Sequence, residues 1–329
     1  MKKLFVFLVV LLVLALTADI LFGSISLQLS DIWATLTGKS ENEIYREIIL
    51  NHRLPKALTA ILTGIALSTA GVLMQTVFHN PLAGPDVLGV TSGASLGVAL
   101  LTLGSASLPL WMIAGWGQVA AAIIGAACVL LLVIIVSIKI PQTVSLLIIG
   151  MMFGNFAGAI VSILQSVSNP DTLKLFVTWT FGSLSAVGWE YMRVMLPVIA
   201  IGVVMALLLQ KQLNIFLLGQ NYAAGLGISV SRLRLYAILA TALLAGTSTA
   251  FTGPIAFIGI TIPHIARGLF RTSNHRIILP ASMLIGAVIM LLCDLVSQLP
   301  GSQSTLPINA VTALFGAPVI IWIISKNKG

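Results

Sequence analysis

Residues 87–138, VLGVTSGASLGVALLTLGSASLPLWMIAGWGQVAAAIIGAACVLLLVIIVSI, contain no Asp, Glu, Lys or Arg. A helix that crosses a bilayer needs about 20 apolar residues at about 1.5 Å rise each. This stretch is long enough for two spans, with a turn between them near Gly104 and Pro109. Further charge-free runs cover 57–85, 140–170, 194–210, 235–266, 277–293 and 295–325. Backbone polar groups in lipid must be satisfied within the segment, so these runs read as helices.

Composition agrees. Of 329 residues, 58% are hydrophobic and 8% charged, against about a quarter charged in soluble domains. Glycines and prolines are tolerated in membrane helices because neighbouring helices re-satisfy the broken backbone bonds. Turn signals and charges divide the chain into spans near 4–23, 55–78, 86–104, 110–138, 142–165, 189–210, 232–252, 255–270, 277–297 and 307–325. The predicted fold is an all-α polytopic transmembrane bundle of about ten spans. Lys2 and Lys3, the apolar run 4–16 and Leu16-Thr17-Ala18 resemble a signal peptide. Because apolar character resumes at Ile20, Leu21 and Phe22, the reading preferred is an uncleaved first span.

Ten spans put both termini on one side. With Met1 inside, the inner segments hold Lys2, Lys3, Lys139, Lys211, Arg232, Arg234, Arg267, Arg271, Arg276, Lys326 and Lys328, the majority of the 17 basic residues. The outer segments hold Lys39, Arg46, Arg53, Lys56, Lys174 and Arg193. The positive-inside rule predicts cytoplasmic termini. The net charge of +8 is scattered in ones and twos, which fits topology and not nucleic acid. Two longer outer loops are expected, 24–53 and 166–188; Asn169-Pro170-Asp171 signals a surface helix over about 170–186.

Catalytic constellations are absent. His52, His79, His264 and His275 are isolated, no HExxH occurs, and no span carries paired carboxylates. Gly38-Lys39-Ser40 looks like the tail of a phosphate-binding loop, but Trp33 occupies the position of its first glycine. Cys128 and Cys293 read as small buried hydrophobes. Ion-coupled carriers show ionisable residues inside their spans, and here only Asp19 and Asp294 qualify, both near outer ends. Energy for transport would then come from another subunit.

A weak inverted repeat supports a transport role. A helix running into Gly84-Pro85 and then Gly89 is echoed by one running into Gly253-Pro254 and then Gly259, with the two breaks at opposite faces. Arg53-Leu54-Pro55-Lys56, Gly64, Gly71, Gln75 and the run 80–89, NPLAGPDVLG, resemble the FecCD-type (BtuC-like) permease family. So do 253–259, GPIAFIG, with 263–267, PHIAR, and Leu306-Pro307 with 312–318, TALFGAP.

The resemblance implies one permease domain over 1–329 in a type II ABC importer for iron-siderophores, haem or vitamin B12. It implies as partners a second copy of the chain, two ATPase subunits and a periplasmic or surface binding protein, in a bacterial inner membrane. No cofactor is expected. It places an ATPase-coupling segment at 214–231, with Leu218, Gly219, Ala223, Leu226 and Gly227; the alternative is an ordinary loop. Arg53 and Lys56 match positions that dock the binding protein, or they snorkel to the interface. A third docking position, near Gln298, is often Arg in cobalamin permeases. The cytoplasmic gate falls on Thr143 and Val144, unless Thr143 simply caps a helix. An iron chelate is the leading cargo and cobalamin the second; a secondary carrier and a membrane scaffold are the readings from other classes.

Overall fold

The computed structural model describes residues 1–22, 28–38, 42–104, 109–139, 143–298 and 305–326. The chain is 83% helical with no strand among these residues. Seven helices are long and apolar enough to cross a membrane: α1 (Lys2–Leu21), α3 (Glu43–Val77), α5 (Trp116–Lys139), α6 (Thr143–Val167), α8 (Trp189–Leu208), α11 (Val230–Thr252) and α13 (His275–Ser297). Three shorter apolar helices occupy the other predicted spans: α4 (Val90–Thr102), α12 (Ile258–Phe270) and α14 (Ile308–Lys326). The remaining helices lie between spans: α2 (Leu29–Leu36), α7 (Pro170–Thr180), α9 (Gln210–Phe216) and α10 (Gln220–Gly225).

Small residues decide which helices sit at the centre. In α3, α11 and α13, 78%, 72% and 67% of the most apolar window is buried, against 17% in α6 and 28% in α5. Lipid tails are as apolar as leucine, so helices in a bilayer associate through close backbone approach at small residues. A Cβ added at Gly64 would lie 2.2 Å from the carbonyl oxygen of Gly286, and one at Gly71 only 1.7 Å from that of Gly259. Those two glycines let α3 lie flush against α13 and α12. On the periphery, Ile124, Leu131, Met152, Phe156 and Ile163 of α5 and α6 are exposed, a surface suited to lipid or to another copy of the chain.

Two contacts orient the bundle. Arg53 Nη1 donates to the carbonyls of Ile20 and Leu21, which sets the start of α3 beside the end of α1. Phe5 packs on Phe270 with ring centroids 4.8 Å apart, which brings the end of α12 to the Met1 end. The first helix break therefore lies at the Met1 end and the second at the opposite end. After α3, a 3-10 turn at Pro85–Leu88 and Gly89 at φ 71° lead into the 13 residues of α4. After α11, Gly253 at φ 75° and Phe257 at φ 68° lead into the 13 residues of α12. Each short helix spans about 20 Å, less than the bilayer core. The second break's helix packs on the first break, since a Cβ on Gly259 would meet Pro85 Cδ at 2.5 Å. The helix, break and short helix seen in both halves match the predicted inverted repeat.

One boundary differs from expectation. The surface helix α7 is capped by Asn169, whose Oδ1 accepts from the Thr172 N–H at 2.9 Å, but it ends at Thr180 and not near 186. Gly182 takes φ 73°, and the Ser183 N–H turns to the Thr252 carbonyl at 2.8 Å, tying this loop to the second break. The first helix runs unbroken through Leu16-Thr17-Ala18, with Asp19 and Ile20 buried against the bundle.

Candidate coupling and docking surfaces

At the Met1 end, two short helices form the segment between α8 and α11. In α9, Leu213 and Phe216 are buried, and the Phe216 ring lies 4.7 Å from that of His79 at the end of α3. The chain then reverses at Gly219, with φ 114° and ψ 149°, to start α10, and reverses again at Gly227, with φ 82°. Open space surrounds both glycines, so the requirement is conformational: a side chain there would fit but would strain the backbone. Ala223 is buried and holds α10 down. Leu218, Tyr222 and Leu226 point away from the bundle, 66%, 56% and 56% exposed.

Of the five residues expected to couple, Leu218 and Leu226 thus form an outward apolar face, Ala223 anchors it, and Gly219 and Gly227 shape it. Tyr222 is the member that sequence reasoning missed. Its signal is an aromatic side chain in a segment between spans, where polar residues are the rule. Burying one such leucine against a partner is worth about 1.5–3 kcal/mol.

The opposite end reverses this arrangement. Arg53 is buried and spends its guanidinium on the end of α1, where the Ile20 and Leu21 carbonyls lie 2.5 and 2.9 Å from Nη1. Lys56 is buried too, and its Nζ forms an ion pair with Asp294 Oδ2 at 2.8 Å. Gln298 Nε2 donates to Asp294 Oδ2 at 3.0 Å and to Asp19 Oδ1 at 3.2 Å. The two acids noted in spans are therefore gathered around Lys56. Both side chains are largely buried and turn to partners within the chain. Burying a charge is tolerable only when it is paired and hydrogen-bonded, and here α1, α3 and α13 supply the partners.

What this end does present is a cavity of about 580 Å3 between α5, α7 and the second break, lined by Gln118, Asp171, Lys174, Thr178, Ser183 and Phe251 among others. Beside it, Trp116 Nε1 donates to Glu190 at 2.7 Å and Trp189 Nε1 to the Leu50 carbonyl at 2.8 Å, an aromatic set suited to a membrane–water boundary. Thr143 and Val144 open α6, and their side chains lie outside those described, as do residues 140–142. Among the described residues no three His, Cys, Asp or Glu side chains gather to hold a metal ion.

A many-span helical bundle with opposed helix breaks, buried charge pairs and an apolar face at one end belongs to the class of ABC transporter permeases. Residues 9–326 match the FecCD transport family, and the chain belongs to it. It is 33% identical to the hemin transport system permease protein HmuU of Yersinia pestis, covering 98% of this chain and 95% of that one. It is 36% identical to the vitamin B12 import system permease protein BtuC of Klebsiella pneumoniae, covering 84% and 82%. Its structure superposes on an inward-facing metal-chelate type ABC transporter with a TM-score of 0.87 and 31% identity, covering 99% and 100%.

Proposed function

We propose that two copies of this chain form the translocation pathway of an ATP-driven importer, with two ATPase subunits at the Met1 end and a binding protein at the other. The observation that carries this reading is the exposed Leu218, Tyr222 and Leu226 face. It lies at a membrane end bearing most of the basic residues, and the positive-inside rule supports a cytoplasmic position for it and for both termini. No lipid reaches a loop that leaves the bilayer, so the face calls for a protein partner. The cell inner membrane is the site of action.

Thr143 and Val144, at the start of α6 on the same side, form the cytoplasmic gate against their mates in the second copy. At the outer end the binding protein rests on the rim near Arg53 and Lys56. Their part is to fix the helix start that docks; they do not reach across the interface. The cargo is an iron chelate, a ferric siderophore or haem, in keeping with the likeness to the hemin permease over nearly the whole chain. Cobalamin is the alternative, favoured by the likeness to the vitamin B12 permease.

Reconstitution with the ATPase and binding-protein partners tests the reading. Uptake of labelled haem, ferric siderophore or cobalamin is expected only with ATP and binding protein together. Uptake driven by an ion gradient without the ATPase would overturn it.

A further inference from the structure

Beside the His79–Phe216 contact, the coupling segment is tied to the bundle core through a partly buried polar chain. Asn214 of α9 faces the start of α13. Its Oδ1 lies 2.8 Å from the backbone N of His275 and 2.8 Å from the His275 ring Nδ1. A carbonyl oxygen can only accept, so Nδ1 carries the proton and the neutral ring leaves Nε2 as an acceptor. The Thr76 hydroxyl of α3 sits 2.8 Å from Nε2 and 2.9 Å from the Val72 carbonyl, and its one proton is shared between these two acceptors. On its far side, Asn214 Nδ2 donates to Oδ1 of Asn274, the residue that caps α13, at 2.9 Å.

The two helices held by this chain are joined twice more. Midway along, Gly64 and Gly286 bring their backbones together, each denying the other room for a Cβ. At the outer end, Lys56 pairs with Asp294 at 2.8 Å. From Lys56 to Thr76 is about 30 Å of helix, the depth of a bilayer core. Rows of packed side chains and polar bonds that have few alternative arrangements carry motion as a unit.

We propose that α3 and α13 form a rigid strut, and that the Asn214–His275–Thr76 chain fastens the coupling segment to its inner end. Asn214, His275 and Thr76 are then positioning residues: a displacement of the Leu218, Tyr222 and Leu226 face reaches the Lys56–Asp294 end without passing through the other spans. This rests on the importer reading above.

The test uses the full complex with its ATPase and binding protein in lipid nanodiscs. Exposed Cys128 is replaced by Ser and a spin label is placed by Val296→Cys, an exposed position at the strut's outer end. ATP is expected to change the label-to-label distance across the two copies. Thr76→Val, which keeps the side-chain shape, and His275→Leu are expected to cut that change to below about half while ATP hydrolysis stays within about twofold. A full distance change in Thr76→Val and His275→Leu would overturn the fastening, and a wild-type distance that ignores ATP would overturn the strut. The uptake measurement decides the importer reading separately.

Discussion

The two ends of the molecule solve opposite problems with opposite residues. Near Arg53 and Lys56, charged side chains turn inward and meet Asp294, Gln298 and helix carbonyls. Near Leu218, apolar side chains turn outward and stay more than half exposed. In a soluble protein both would be anomalies. In a membrane protein they separate two tasks: the buried pairs bind helices to one another, and the exposed apolar face awaits a partner.

The contrast can be broken at its foundation by filling a glycine contact. Gly71→Leu would drive a side chain into the Gly259 backbone and is expected to abolish folded, detergent-extractable protein, read by size-exclusion profile. Next in size is the charge cluster. Lys56→Ala leaves Asp294 buried without its cation and should cost about 3–5 kcal/mol of stability, seen as a large drop in Tm. The double replacement Lys56→Ala with Asp294→Ala should recover most of that loss, because it removes both charges together.

At the opposite end the pattern of effects reverses. Leu218→Glu with Tyr222→Glu should leave Tm nearly unchanged, since both side chains are exposed. Affinity for the ATPase subunit should fall at least about tenfold, a loss of about 1.4 kcal/mol or more. Gly219→Ala should act more gently, because only backbone strain at φ 114° and ψ 149° of about 1–3 kcal/mol is introduced. It should slow transport per ATP hydrolysed more than it lowers binding. The smallest effect is expected of Glu190→Ala, which removes one exposed hydrogen bond from Trp116 and should shift stability by under about 1 kcal/mol.

How much of this was legible in the sequence follows the same division. The helices were readable because charge-free runs of spanning length leave few other structures in lipid, and the two breaks because Gly-Pro pairs punctuate them. The segment proposed to couple stood out as apolar residues where a loop should be polar. Tyr222 did not, because only the burial of Ala223 shows which side of α10 faces outward. The burial of Arg53 and Lys56 was not readable. Their partners Asp19 and Asp294 were noticed as acids near the outer ends of spans, yet only the packing of α1 and α13 against α3 shows that they face Lys56. The tie between Asn214, His275 and Thr76 was hidden for the same reason, since its members lie on three helices far apart in the chain. Close backbone approach at Gly64 and Gly71 likewise needs the opposing Gly286 and Gly259 to be placed before it has meaning.

Co-purification of the ATPase subunit with the permease tests the central claim most directly. The wild type and the Lys56→Ala, Asp294→Ala double variant are expected to retain the ATPase, and the Leu218→Glu, Tyr222→Glu variant to lose it while remaining folded. Retention by the glutamate variant, with loss by the charge-cluster variant, would contradict the division of tasks between the two ends.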